Sequence, residues 1–391
     1  MSMNGDGQTV VFNAGSSSIK FAVFDAALNR LVSGQADAIG GDGRLTIGEV
    51  RSSAGFADHA AAVRAIFDAL AQQGFSLADM TAAGHRVVHG GREVTAPSRL
   101  TPEIIGTIEQ CVRLAPLHNP HNLTVIRALA AIAPGLPQFA SFDTAFHTTN
   151  PEVALRYAVP DEEDAAGLRR FGFHGISFSG LVRRLPSLSG ASLPSRLLAL
   201  HLGNGVSLCA IRDGRSVATT MGYSPLDGLT MGTRTGGIDG NAVLKLAERH
   251  GIEGAFQLLN KKSGLLALGG HSDMRALRGA DTDRSRFAIE HFAYWALRHA
   301  GSMVAAMGGI DALAFTGGIG ENDAAMRASI MSGLSWTGLA MDDAANEARA
   351  TRLHGADSKI AAWIVPADEE QTIAEDVRTL MGAAYCIGPK M

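Results

Sequence analysis

The chain has 391 residues, 46% of them hydrophobic and 18% charged, with a formal net charge of −4. This length predicts two domains, and this composition a well-buried globule rather than a disordered chain. No basic block points to nucleic acid, no run approaches the ~18 apolar residues of a membrane span, and the opening MSMNGDGQTV, with no basic or apolar region, is not expected to act as a signal peptide.

In chain order, Thr9 to Phe24 (TVVFNAGSSSIKFAVF) predicts a hairpin: two apolar β-type runs flank a polar turn, Asn13 to Ser18. Gly15 lets backbone approach a ligand, and serines with successive N–H groups can cradle an anion. The spacing is not that of a P-loop, and a plain polar hairpin tip is the alternative. The segment LVSGQADAIGGDGRLTIGEV is turn-rich, and His59 to Leu70 has helical apolar spacing that Gly74 stops. A buried strand is expected at TAAGHRVVHGG, helices at TPEIIGTIEQCVRL and HNLTVIRALAAI, and a strand entering a functional loop at QFASFDTAFH. Pro151 and the acidic run DEEDAAG mark a crossover into a second lobe.

That lobe repeats the grammar of the first. LLALHLGNGVSLCAI is again strand, polar residue, glycine, serine and strand, which suggests a duplicated domain. Helices are expected at NAVLKLAERH and Arg284 to Met307. A third glycine-rich turn, Phe315 to Asn322, precedes the helix-like AAMRASIM. AAWIVPA predicts a strand, and EEQTIAEDVRTLMGAA a closing helix that returns to the first lobe. Three such turns imply a nucleotide held between two related lobes.

Phosphoryl transfer needs positive charge and hydrogen-bond donors around the equatorial oxygens, a divalent metal and an aligned acceptor. Arg86 and Arg234 lie in glycine-rich turns, where a guanidinium can grip a carboxylate or phosphate bidentately; surface placement is the alternative. His85 and His89 have i,i+4 spacing, but in a strand and turn context that does not converge on zinc. His174 suits either a phosphoryl donor or the core. Asp143, between aromatics, suits an arginine holder, a base or a strand-end cap. Glu369 and Glu370 suit a helix cap or magnesium bound through water. Cys111, Cys209 and Cys386 have no metal or CxxC spacing, which predicts a reducing, cytoplasmic compartment.

Taken together and in order, NAGSSSIK, GHRVVHGG, APLHNPHN, FDTAFH, RFGFHGIS, HLGNGVS, SPLDGLTMGTRTGGID, SDMR, FTGGIGEN and ADEE resemble the acetate kinase family of the actin-like sugar kinase and ATPase superfamily. The resemblance runs from Val10 to about Asp376. It implies an α/β fold of two duplicated actin-like (ribonuclease H-like) lobes with a nucleotide cleft between them. The expected division is 1–148 with a returning helix 371–391, and 149–370 as the nucleotide-binding lobe. The implied reaction is reversible transfer of the ATP γ-phosphoryl group to acetate. A propionate or butyrate kinase, or a non-metabolic ATPase on the same fold, is the alternative.

By the same resemblance, Asn13 and Glu369 organise Mg²⁺ (or Mn²⁺), while Lys20, Ser16 and Ser18 line the phosphate hairpin. Arg86 and Arg234 bind the carboxylate and the moving phosphoryl group. Val88, Leu117, Phe173 and Pro225 form the acyl pocket, and His118 lies near. Asp143 is the proton acceptor or donor position and also holds an arginine. His174 and Arg234 stabilise the transition state. ATP is held by His201, Leu202, Gly203, Asn204 and Gly205, by Asp273, Met274 and Arg275, and by Gly318, Ile319, Gly320, Glu321 and Asn322. The family also implies a homodimer. After Arg234 the loop lacks the family's carboxylate at Gly237 and its proline at Gly240, which predicts a looser loop. Ser177-Phe178 replaces an expected Ser-His.

Overall fold

The computed structural model describes residues 7–385, and the third cysteine, Cys386, lies outside them. The chain divides into two compact units, one made of the described residues of Met1–Phe146 and Asp368–Met391, the other of His147–Ala367. Asp368, Glu369 and Glu370 therefore group with the first unit. No helix among the described residues is long and apolar enough to cross a membrane.

The first unit is built on one sheet of eight strands: β1 Gln8–Ala14, β2 Ser18–Phe24, β3 Arg30–Asp37, β4 Arg44–Ile47, β5 Val50–Ser53, β6 Met80–Val87, β7 Ser98–Arg99 and β8 Gln138–Phe142. Their order is β5-β4-β3-β2-β1-β6-β8-β7. Strands β1 to β5 form an antiparallel meander, and β6 and β8 run parallel to β1. One face buries Val10, Phe12, Phe21 and Val23 against Val63, Ile66 and Leu70 of the helix His59–Gln72 and Val125 and Leu129 of the helix Asn119–Ile132. The first helix opens where Asp58 Oδ1 accepts from the Ala61 N–H (2.7 Å), the usual economy of an N-cap.

The second unit carries β9 Arg196–Leu202, β10 Val206–Arg212, β11 Arg215–Thr219, β12 Ala312–Thr316 and β13 Ala361–Ile364, ordered β11-β10-β9-β12-β13. Again an antiparallel meander is followed by two parallel strands. This repeats β3-β2-β1-β6-β8 in order and direction, so the duplication legible in the two glycine hairpins is a duplication of a ribonuclease H-like sheet. Strands β9, β10 and β12 are buried on both faces, which is why their sequences are apolar runs and not alternating ones.

Two expectations need correction. The supposed turn-rich segment Leu31 to Val50 forms β3 and β4 and begins β5. These strands lie towards a solvated sheet edge, so they lack the apolar run that announces a buried strand. The first hairpin turn is also tighter than Asn13 to Ser18. Asn13 pairs with Lys20 and Ala14 with Ile19, leaving Gly15 to Ser17 as the bend, closed by a Gly15 N–H to Ser18 carbonyl bond (2.8 Å).

The helix Glu369–Tyr385 covers the other face of β1, β6 and β8. Ser141 Oγ on β8 donates to Asp376 Oδ2 on this helix (2.7 Å). On β6, a Cβ at Gly84 would stand 2.6 Å from Ile373 Cγ2 and 2.9 Å from Val377 Cγ2. The helix can lie this close only because position 84 has no side chain. Gly84→Ala is accordingly expected to cost about 1–3 kcal/mol through overpacking, read as a lower midpoint in chemical unfolding. An unchanged midpoint would show that the helix does not depend on this contact.

Candidate active site

In the first unit, the proposed residues gather at the carboxyl ends of parallel strands, where open α/β sheets place their ligands. Asn13 and Arg86 each lie next to last, on β1 and β6, and Asp143 follows β8, its N–H bonded to the Val87 carbonyl (3.0 Å). Arg86 donates through Nε to both Asp143 oxygens (3.1 and 3.2 Å) and through Nη2 to Oδ2 (2.6 Å). Its Nη1 donates to Asn13 Oδ1 (3.1 Å). Asn13 in turn donates through Nδ2 to Glu369 Oε2 (2.9 Å) and Glu370 Oε1 (3.0 Å). One orientation of one amide therefore links a guanidinium to two carboxylates.

Asp143 is 1% exposed. Burial pushes its carboxyl up to about 6, against the downward pull of Arg86, and the neighbouring charge of Glu369 adds to the rise. For Arg86, burial acts to lower the pKa, but the charges of Asp143 and Glu369 outweigh it and raise it. The arginine is thus a fixed cation whose aim is set by a carboxylate that burial holds above the ordinary carboxylate range.

Asn122 and Asn119, buried on the helix Asn119–Ile132, brace the same strand ends. Asn122 Oδ1 accepts from the Val88 N–H (3.2 Å) and its Nδ2 donates to the Ala14 carbonyl (3.0 Å). Asn119 Oδ1 accepts from the His89 N–H (3.1 Å) and its Nδ2 donates to the His89 carbonyl (3.0 Å). In the sequence both are hidden within the motif APLHNPHN; the signal is a pair of amides one turn apart on a helix that is otherwise apolar on that face. Val88 is buried, Leu117 and His118 are half-buried just before that helix, and Lys20 and Ser16 are exposed around the hairpin with Ser18 partly covered. His85 and His89 do not converge: His85 stacks on Phe12, and burial drives both imidazoles down to about 4.

The carboxylate oxygens of Glu369 and Glu370 suit a hard cation, while Asn13 gives them its Nδ2 and gives its Oδ1 to Arg86. Among the described residues, no group of three or more His, Cys, Asp or Glu could hold an ion by itself. Few protein ligands with the rest supplied by water and phosphate is the pattern magnesium favours, so the residues fit it.

In the second unit, His174 precedes the helix Gly175–Ser189 in the left-handed region (φ 59°). A non-glycine residue held there is strained, and such strain clusters at functional sites. Its ring stacks on His201 with centroids 4.1 Å apart. A Cβ at Gly205 would lie 3.1 Å from His174 Nε2 and 3.8 Å from Arg234 Nη1, so the Gly203 to Gly205 bend, closed by a Gly203 N–H to Gly205 carbonyl bond (3.1 Å), brings all three together. Arg234 Nη1 donates to the Pro225 carbonyl (3.2 Å), and the Gly232 N–H bonds the exposed Asn204's carbonyl (3.0 Å). Phe173 is 1% exposed and its carbonyl accepts from His147 Nε2 (2.9 Å).

The loop after Arg234 is not loose. Gly237 N–H bonds Gly228 O (2.9 Å), Thr235 N–H bonds Leu259 O (3.1 Å), and Asp239 Oδ1 caps the next helix on Asn241 N (2.8 Å). Backbone bonds and a cap replace the missing carboxylate and proline. The third glycine turn is a short helix, Gly317–Asn322, with Gly318 and Asn322 exposed, Ile319 half-buried and Gly320 buried. Glu321 Oε1 accepts from the N–H groups of Gly317 (3.1 Å) and Ala367 (2.8 Å), so this carboxylate braces backbone. Asp273 caps the helix Met274–Ala280 and is gripped by the exposed Arg275, while Met274 is buried and Leu202 lies in the core.

The acetokinase family model matches residues 8–375. The acetate kinase of Nitrobacter hamburgensis is 41% identical over 387 residues, covering 95% of this chain and 96% of that protein. Among solved structures, the acetate kinase of Porphyromonas gingivalis superposes with a TM-score of 0.88 at 35% identity, covering 96% of this chain and 100% of its own. A propionate kinase from Francisella tularensis gives 0.90 at 34%, covering 95% and 98%. The chain belongs to the acetokinase family.

Proposed function

We propose that this enzyme, a phosphotransferase with a carboxyl acceptor, moves the γ-phosphoryl group of ATP reversibly to acetate, giving acetyl phosphate and ADP. The observation that carries the reading is the Arg86 guanidinium, aimed by Asp143 and Asn13 at the strand ends where a small carboxylate would be held. A guanidinium has more N–H groups than these bonds use, so it can grip a ligand carboxylate while staying fixed.

Acetate is already ionised at neutral pH, so the nucleophile needs little base catalysis and positioning with charge neutralisation carries the step. Val88, Leu117, Phe173 and Pro225 are assigned to the acyl methyl. Arg234 and His174 are assigned to the charge that develops on the transferring phosphoryl group. The hairpin Lys20, Ser16 and Ser18, the bend His201 to Gly205, and the segments Asp273 to Arg275 and Gly318 to Asn322 are assigned to ATP. Asn13 and Glu369, joined by Glu370, would hold Mg²⁺ or Mn²⁺, which supplies neutralisation of phosphate charge. Asp143 acts on the substrate through Arg86. The proposal extends to a reducing cytoplasm, in keeping with the free, buried Cys111 and Cys209, and to a second copy of the chain as partner. Phe287 (54%) and Tyr294 (63%) lie exposed on the helix Asp283–Met307 and offer such a copy an apolar face.

Propionate is the rival acyl group, favoured by the fit to the Francisella tularensis propionate kinase. One methylene is worth only about 1–3 kcal/mol, so both acids are expected to react. Acyl hydroxamate trapping with ATP and Mg²⁺ should give the highest kcat/KM with acetate. Propionate ahead of acetate would reassign the acyl group, and no product from acetate, propionate or butyrate would end the kinase reading. Run against pH, the same assay should show kcat/KM falling below about 6, as protonation of Asp143 releases Arg86. Asp143→Asn should lower activity by about 10²-fold and remove that acid limb. A limb that persists unchanged in the variant would assign it to another group.

A further inference from the structure

Three imidazoles in the second unit meet a serine hydroxyl at Nδ1, and one of them shows which way the proton lies. His147 Nε2 is 2.9 Å from the Phe173 carbonyl, which can only accept, so Nε2 carries the hydrogen. Its Nδ1 is then an acceptor, and Ser216 Oγ, 2.8 Å away, donates to it. Cys209 Sγ stands 3.2 Å behind Ser216 Oγ and completes the chain as a thiol donor.

His174 and His201 repeat the pairing. Ser207 Oγ is 2.8 Å from His174 Nδ1, and Ser177 Oγ is 2.9 Å from His201 Nδ1. Both serines are fully buried. Among the described residues, neither hydroxyl has another side-chain or carbonyl acceptor. If the imidazoles donated, each serine would keep a buried O–H with nowhere to point, and folded proteins rarely leave a buried donor unmet. Each hydroxyl therefore donates, and each ring carries its proton on Nε2. Those nitrogens face the glycine bend: a Cβ at Gly205 would lie 3.1 Å from His174 Nε2, and one at Gly203 would lie 3.6 Å from His201 Nε2.

We propose that Ser207 and Ser177 are positioning residues that hold His174 and His201 as a stacked pair of Nε2–H tautomers, presenting two N–H donors on the side of the Gly203 to Gly205 bend. The ligand class this suits is an oxyanion with several acceptor oxygens, such as a phosphoryl group. Its catalytic meaning rests on the phosphoryl-transfer reading above. The serines touch no substrate and act through the rings. A pair of neutral donors also avoids placing two cations at stacking distance, so the site gains donors without mutual repulsion.

The test is long-range ¹H–¹⁵N correlation on the full chain labelled at histidine, with His174→Gln and His201→Gln used to assign the signals. The wild type should show both residues as Nε2–H tautomers at neutral pH. Ser207→Ala and Ser177→Ala should each move its own imidazole to mixed tautomers, while His147 keeps its signature and so reports an intact core. In the hydroxamate assay, Ser207→Ala should lower kcat by about ten-fold or more with KM for ATP within about two-fold, as a misplaced tautomer does elsewhere. An Nδ1–H tautomer in the wild type overturns the proposal without any variant having to fold. Unmoved tautomers in the alanine variants overturn it too, as does a tautomer shift that leaves kcat intact. The tautomer signals are read in the absence of substrate. Correct tautomers in a protein that makes no acyl phosphate would therefore fail the functional reading alone.

Discussion

Arg86 stands at the junction of three strands and a helix, and its bond to Asp143 is the contact on which the chemistry proposed for the first unit depends. Asp143 is 1% exposed and Arg86 partly covered, so neither can trade the other for water at little cost. Removing one partner of such a pair costs about 3–5 kcal/mol, because the other is left as a buried charge. The pair is therefore better understood as an aiming device than as a source of stability. Asn13 transmits the aim from the guanidinium to Glu369 and Glu370, which arrive from the far end of the chain on the closing helix. That helix reaches its place because Gly84 offers no side chain and Ser141 ties it to β8. Backbone packing and site electrostatics are thus set by the same few residues.

In the second unit, beside the Arg234 guanidinium, the proposed site adds neutral groups. There the donors are imidazoles, which can present a proton on either nitrogen, so direction has to be imposed. Serine hydroxyls from the helix Gly175–Ser189 and from β10 meet His201 and His174 on the inner nitrogen. His147 is ordered the same way and anchors the Phe173 carbonyl, beside the left-handed backbone of His174. In one unit charge fixes the geometry, and in the other hydrogen-bond direction does.

Much of this was legible in the residues. The paired glycine hairpins announced a duplication because each needs the same alphabet of strand, polar residue, glycine and small side chains, and the repeated strand order bears that out. The resemblance gave the family and marked Arg86, Asp143 and Asn13, which meet. Asp143's arginine-holding alternative is the one its hydrogen bonds display. What stayed hidden has a common cause: it depends on partners distant in sequence. The strands β3 to β5 carry no apolar run, since β3 and β4 bury only a few side chains (Ala36, Leu45 and Ile47) and β5 buries none. Asn119, Asn122, Ser177 and Ser207 look like ordinary polar residues until a backbone N–H or an imidazole nitrogen from another element is placed against them. The loop after Arg234 looked slack because two expected side chains are missing, yet its restraint comes from main-chain bonds that no side-chain motif records.

A double-mutant cycle on kcat/KM for acyl phosphate formation tests the account at its centre. If Asp143 works by aiming Arg86, Asp143→Asn should add little loss once Arg86→Ala has been made, giving a coupling energy of about 2 kcal/mol or more between the two sites. Losses that simply add would contradict the account and give Asp143 a role of its own in the proton chemistry.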